Sequence, residues 1–241
     1  MTGKHYGWRA RIGLLTPDIN TVSEVEFNRH APEGVTVHAA RLPLDDPVDA
    51  AALEGMNRDV DRATDAVAKV DPDVVAYGVT AGSFYRGKGY DVELAERIEE
   101  RAGVPAVTTA TAARRAFEAL DLESLVIATP YIDELSDLLV AYLEQHGYSV
   151  LDVHGEDFAS GADYGTSTPR SVYRRVRSID TDEADGVFIS GMEYHGMPVV
   201  ETLEADLDKP VVSAHQATLW DALRAAGVGS ESVQAGSLFD L

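Results

Sequence analysis

Asp73–Ser83 reads DVVAYGVTAGS. A short apolar run, Val74 to Tyr77, follows Asp-Pro-Asp and stops at Gly78. The small residues Thr80, Ala81, Gly82 and Ser83 come soon after. A β-branched run of this length between breakers predicts a strand buried on both faces. Small residues past its end let backbone N–H groups and hydroxyls approach a ligand. Open α/β sheets bind ligands off the carboxyl ends of their strands. A plain connecting turn fits this segment alone equally well.

A second copy tips the balance toward a site. Asp185–Gly191 (DGVFISG) has the same build, and Val79 of the first copy corresponds to Gly191 of the second. Ile12–Pro17 (IGLLTP) pairs with Leu125–Pro130 (LVIATP), and Val104–Thr108 (VPAVT) with Lys209–Ser213 (KPVVS). A repeat in constant order outweighs local propensity in deciding a fold. The expected class is α/β, with two pseudo-symmetric lobes, each a parallel sheet of about four strands flanked by helices. The site then lies in the cleft where the strand-end loops of the two lobes face each other. Residues 1–120 and 214–241 are assigned to the first lobe and 121–213 to the second.

Outside these anchors the chain alternates strand and helix. Leu53, Met56, Val60, Ala63, Val67 and Val70, spaced 3, 4, 3, 4 and 3, predict one core-facing helix over 48–70. Asp91 is read as the cap of the next helix, which Gly103 ends before Val104-Pro105. Ser124–Thr129 is a strand, Pro169–Ile179 a helix, and Pro198–Leu207 a helix opening on proline. The stretch 155–168, rich in Gly, Ser, Asp and Thr, is expected to be a mobile loop over the cleft.

Forty-one acidic against twenty basic residues give the 241-residue chain a net charge of −21, and only four of the basic residues are lysines. Such a field disfavours nucleic acid and anionic membranes as partners. It suits a halophilic protein, because charges are screened within about 3 Å at 1 M salt. The melting temperature should therefore rise between low and about molar salt, and a flat or falling curve would refute that reading. The absence of cysteine excludes disulfides, zinc–thiolate sites and thiol catalysis. No apolar run reaches the ~20 residues that span a bilayer, and MTGKHYGWRARIG lacks a signal-peptide core. A cytoplasmic location is expected. The seven histidines show no HxH or HxxxH spacing, and no GxGxxG or P-loop pattern occurs. No metal and no cofactor are expected, and assembly into a homo-oligomer is left open.

Six segments together resemble one family. They are Pro17-Asp18-Ile19-Asn20-Thr21, His38-Ala39-Ala40-Arg41, Ala76–Ser83, Thr129-Pro130-Tyr131, Val187–Gly191 and Pro210–Trp220. The chain is similar to the maleate cis-trans isomerase and arylmalonate decarboxylase group of the aspartate/glutamate racemase superfamily, as a divergent, cysteine-less member. The resemblance implies a small carboxylate ligand and cysteines at one or both strand exits. Val79 and Gly191 stand at those exits here, and neither side chain can donate, accept or attack. It also implies that Asn20 and Tyr131 hold substrate carboxylates and that Thr80 supplies an oxyanion-pocket hydroxyl. Ala81 replaces a neighbouring serine of the family.

Tyr131, just past a strand, is a candidate catalytic residue or a core tyrosine. Glu193 and His195, on the second exit loop, could supply the acid–base function of the missing thiols, or could be an exposed pair. Asn20 serves either the ligand or a helix cap. Val79, Thr80, Ala81, Gly82, Ser83, Gly191 and Met192 are the expected substrate-binding wall. His215 is read as a helix-cap contact, and Arg86 with Lys88 as a basic pair that could guide an anion. Two functions remain in view: isomerase or decarboxylase (lyase) chemistry through an oxyanion-stabilised intermediate, and non-catalytic binding or regulation by a small carboxylate on the same scaffold.

Overall fold

The strands Ala10–Pro17 (β1), Val35–Leu42 (β2), Val74–Tyr77 (β3) and Ala106–Thr108 (β4) form a parallel sheet in the order β2-β1-β3-β4. Ser124–Thr129 (β5), Ser149–Gly155 (β6), Gly186–Ile189 (β7) and Val211–Ser213 (β8) form a second, in the order β6-β5-β7-β8. The two orders are the same, so the repeat in sequence is a repeat in topology. This computed structural model describes residues 5–230 and 232–241, so the first four residues of the N-terminal stretch read above lie outside it.

The helices are Ser23–His30 (α1), Ala50–Asn57 (α2), Val60–Ala68 (α3), Thr80–Phe84 (α4), Tyr90–Ala102 (α5) and Thr109–Ala119 (α6). The second half adds Asp133–Gln145 (α7), Gly161–Tyr164 (α8), Pro169–Ile179 (α9), Val200–Leu207 (α10) and Ala214–Ala225 (α11). Every residue of β3 and β7 is buried, whereas β2 and β6, at the sheet edges, alternate or lie open. The unbroken apolar runs of the inner strands follow from helices covering both faces. One apolar core joins the sheets, with Leu14, Tyr77 and Phe117 of the first half packed in the same cluster as Ile127, Phe188 and Val212 of the second. Helix α11 lies between them, buried from Ala214 to Leu223 and packed on α6, β3, β4 and β8. Among the described residues no helix is long and apolar enough to cross a membrane.

Four local expectations are corrected. The predicted helix over 48–70 is broken into α2 and α3, where the N–H groups of Arg58 and Asp59 bond back three residues instead of four. The break sits beside Asn57, whose buried amide donates to Gly82 O (2.8 Å) and Tyr90 Oη (3.0 Å) and accepts from Tyr77 Oη. Those bonds fix Asn57 inward. Asp91 does not cap α5, since the N-cap is Gly89 at φ +95°. Asp91 is a wholly buried carboxylate that accepts from Thr111 Oγ1 (2.6 Å) and Arg114 Nη2 (2.9 Å), tying α5 to α6. The small residues after β3 form the helical turn α4 and not a loop. Segment 155–168 carries a helical turn of its own, α8, and is hydrogen-bonded across to the first half. Val48 N donates to Ala159 O, and Ser160 Oγ and Gly161 N donate to Asp46, all at 2.9 Å.

Candidate active site

Leu15 is in register with Tyr77, and Ala128 with Ile189. Val79 and Gly191 therefore leave their sheets at equivalent steps, two residues past β3 and β7. Both line one pocket of about 40 Å³ between the halves. Asn20, Thr80, Ala81, Tyr131, Met192 and Glu193 line it as well. Gly82, Ser83 and His195 do not. Gly82 backs onto the Tyr77 hydroxyl and gives its carbonyl to Asn57. Ser83 Oγ donates to Thr80 O (2.7 Å) and accepts from Ala110 N (3.1 Å), so it holds α4 from behind. His195 is part-buried outside the wall, with a buried Nδ1 that makes no hydrogen bond.

The Tyr131 hydroxyl lies at the carboxyl end of β5, 3% exposed as a residue, and accepts a long bond from Ser190 Oγ (3.5 Å). Burial pushes its pKa up to about 12, although Ser190, Thr80 and the Ala81 N–H favour the ionised form. The phenol thus keeps its proton near neutrality and can donate it. Thr80 Oγ1 is buried beside it with no hydrogen bond of ordinary geometry. Two hydroxyls and the start of α4 therefore present donors to one corner of the pocket.

Glu193, at the exit of β7 and 6% exposed, lines the same pocket. Its Oε1 accepts from Thr21 N (2.8 Å) and Thr21 Oγ1 (3.1 Å), which leaves Oε2 to carry a proton. Among the described residues no lysine or arginine bonds to it. Burial pushes its pKa up to about 7, against the pull of the Thr21 bonds and of Arg41. A carboxyl titrating there is matched to proton transfer at neutral pH.

The Met192 carbonyl gathers three donors: Asn20 Nδ2 (2.7 Å) and Ser23 Oγ (2.6 Å) from the first half, and His215 Nε2 (2.8 Å) from α11. Asn20 Oδ1 also accepts from Val22 N and Ser23 N, so it caps the entry to α1 while lining the pocket. His215 does not cap α11, a role taken by Ser213. It is wholly buried, and burial lowers its pKa to about 4, so it stays neutral and locks the exit loop. Arg86 is paired with Glu54 over the Tyr90 ring, and Lys88 donates to Gln145 O (2.9 Å). Neither reaches the pocket. Among the described residues no group of three His, Asp or Glu is placed to hold a metal ion.

Sequence reasoning missed Thr21, Ser23 and Tyr164. Thr21 and Ser23 act across separations of 172 and 169 residues, which no local pattern reveals. Tyr164 carried one signal, an aromatic ring inside a stretch of small and polar residues.

Gly191 has φ +116°, and a Cβ there would stand 2.9 Å from Pro130 Cδ. Val79 is in ordinary extended backbone, at φ −138°. A cysteine is thus disfavoured by the backbone at the second exit and admissible at the first. Val79→Cys should fold with a melting temperature near wild type, and Gly191→Cys should melt several degrees lower. Equal melting of the two would contradict this geometry.

The arylmalonate decarboxylase family model matches residues 12–239. A maleate isomerase of Nocardia farcinica is 28% identical over 224 residues, which is 89% of each chain. A solved cysteine-to-alanine variant of the maleate isomerase Iso from Pseudomonas putida S16, with maleate, superposes at a TM-score of 0.91. It is 26% identical, over 95% of this chain and 97% of that one. A Nocardia farcinica maleate cis-trans isomerase variant with a covalently bound succinylcysteine intermediate superposes at 0.89. It too is 26% identical, over 95% and 98%.

Proposed function

Because the chain belongs to the arylmalonate decarboxylase family, whose named relatives are enzymes, we propose that it acts on a small carboxylate as a thiol-free decarboxylase or isomerase. The observation that carries this reading is Glu193, a buried carboxyl with a pKa of about 7, in the same pocket as the Tyr131 and Thr80 hydroxyls. The relative with a succinylcysteine intermediate uses a cysteine covalently. This chain has none, so the proton work falls to another group.

In the decarboxylation form, the substrate carboxylate sits at Thr80, the Ala81 N–H and Tyr131. The bond from carbon α to a second carboxylate breaks, CO₂ leaves, and the electron pair passes into the retained carboxylate as an enediolate. Donors already aimed at that charge stabilise it without reorganising. Glu193 then gives its proton to carbon α and is reprotonated from water. In the isomerisation form, Glu193 takes a proton from a tetrahedral carbon α, and the same enediolate, conjugated with a neighbouring double bond, receives that proton back at carbon γ, so the double bond shifts. Glu193 is the one carboxyl among the described residues that line the pocket, and the Val79 and Ala81 side chains carry no group that moves a proton. Protonation should therefore come from one face.

The binder reading keeps one supporting observation, the inert side chains at both strand exits. Incubating the protein with a panel of small carboxylates, maleate and substituted malonates among them, separates the two. Conversion supports the enzyme, and saturable binding without conversion supports the binder.

A further inference from the structure

Arg41 is the next-to-last residue of β2, in register with Thr16 of β1. Its side chain lies against the loop by which β1 leaves the sheet. Nη1 donates to the carbonyl oxygens of Pro17 (3.2 Å), Asp18 (3.3 Å) and Asn20 (2.5 Å), while Nη2 donates to Glu24 Oε2 (2.7 Å). The turn between β1 and α1 thus closes around one guanidinium. Asn20 in that turn caps α1 and lines the pocket. The next residue is Thr21, whose N–H and hydroxyl both donate to Glu193 Oε1. Lysine lacks the planar fork and could not serve these carbonyls and a carboxylate together.

The same guanidinium acts on Glu193 through its charge, which favours the carboxylate against the burial that disfavours it. Among the described residues, the other groups that face this carboxyl are neutral near pH 7. Thr21 is an uncharged donor. Burial keeps the Tyr131 phenol protonated, and also that of Tyr164 in α8, whose buried oxygen has no hydrogen-bond partner in the protein.

We propose that Arg41 is a positioning residue of the site: it folds the β1 exit loop so that Thr21 meets Glu193, and it holds one permanent positive charge within electrostatic reach of that carboxyl. This rests on the reading of Glu193 as the proton-handling group and deepens it. Both effects favour the carboxylate, so they keep its titration near neutrality where burial alone would carry it higher.

NMR titration of the Glu193 carboxyl carbon in unliganded protein, assigned against Glu193→Gln, tests this without a substrate. Arg41→Gln removes fork and charge together. It should raise the Glu193 midpoint by roughly half a pH unit or more, a modest shift because the Arg41 side chain is 38% exposed and partly screened. Arg41→Lys keeps the charge and loses the fork, so its midpoint should lie above wild type and at most level with Arg41→Gln. A midpoint unmoved or lowered by Arg41→Gln, or an Arg41→Lys midpoint equal to wild type, would overturn the proposal. So would failure of both variants to fold, which would make Arg41 a structural brace only. Turnover keeps the two readings apart. If Glu193 is the acid, the fall in activity above about pH 7 should move up with the NMR midpoint. If the midpoint moves and that fall does not, or no acid is turned over, the Glu193 reading fails and the placement of Arg41 stands.

Discussion

Glu193→Gln should lower turnover by about 10²–10⁴-fold, the usual worth of a positioned general acid, while leaving the fold intact. Glutamine keeps an oxygen for the two Thr21 donors, so the exit loop retains its anchor. Stability should respond in the opposite direction to activity. The folded carboxyl titrates near 7, above its ordinary value of 4.5, because burial penalises the charge. The native state therefore holds this proton more tightly than the unfolded chain. Its contribution is complete below about pH 4.5 and is lost as pH rises through about 7. Glutamine has no proton to lose, so the variant should gain on wild type in melting temperature as pH passes 7. Wild-type turnover that needs the protonated form should fall above the same pH, and that limb should vanish in the variant. A variant with full activity, or one destabilised above pH 7, would remove Glu193 from the mechanism.

The second large effect belongs to the opposite corner. Tyr131→Phe keeps the ring packed 6.1 Å from Phe84, and removes a hydroxyl whose protein bond is a long one from Ser190. Thr80→Val is near-isosteric and removes a hydroxyl without an ordinary partner. Both proteins should fold. If these groups meet charge developing in the transition state, each change should cost about 10²–10³ in turnover. If they only hold a bound carboxylate, the loss should appear in affinity instead, by about 1.5–3 kcal/mol. The split between kcat and KM, measured on one substrate, separates the two cases.

The parts of the molecule legible in sequence are those set by burial and backbone chemistry. β3, β5 and β7 are covered on both faces, so they read as unbroken apolar runs between breakers. Their repeat placed Val79 opposite Gly191 before any register was known, and Gly103 and Gly147 end helices at positive φ where glycine is expected. The six-residue stripe from Leu53 to Val70 signals a core face but not the break at Arg58, which answers to Asn57 and its contacts with Tyr77 and Gly82. Asp91 looks like any helix cap until Thr111 and Arg114 are folded against it. At the site, Tyr131, Thr80 and Glu193 were visible as residue types at strand ends. The neutral His215 lock on Met192, the Thr21 clamp and the unpaired Tyr164 oxygen were not, because each depends on chain segments that only the fold brings together. The missing thiols were plain in the composition. Only the backbone at Gly191 explains why one exit disfavours a side chain.

The central claim is that this pocket performs proton chemistry on a small carboxylate without sulfur. Incubation of the wild-type protein in heavy water with maleate and substituted malonates, followed by NMR, tests it most directly. The account predicts conversion of at least one acid with deuterium delivered to carbon α from a single face. Saturable binding of these acids with neither conversion nor deuterium exchange would contradict it, and would leave a carboxylate-binding protein built on an enzyme's scaffold.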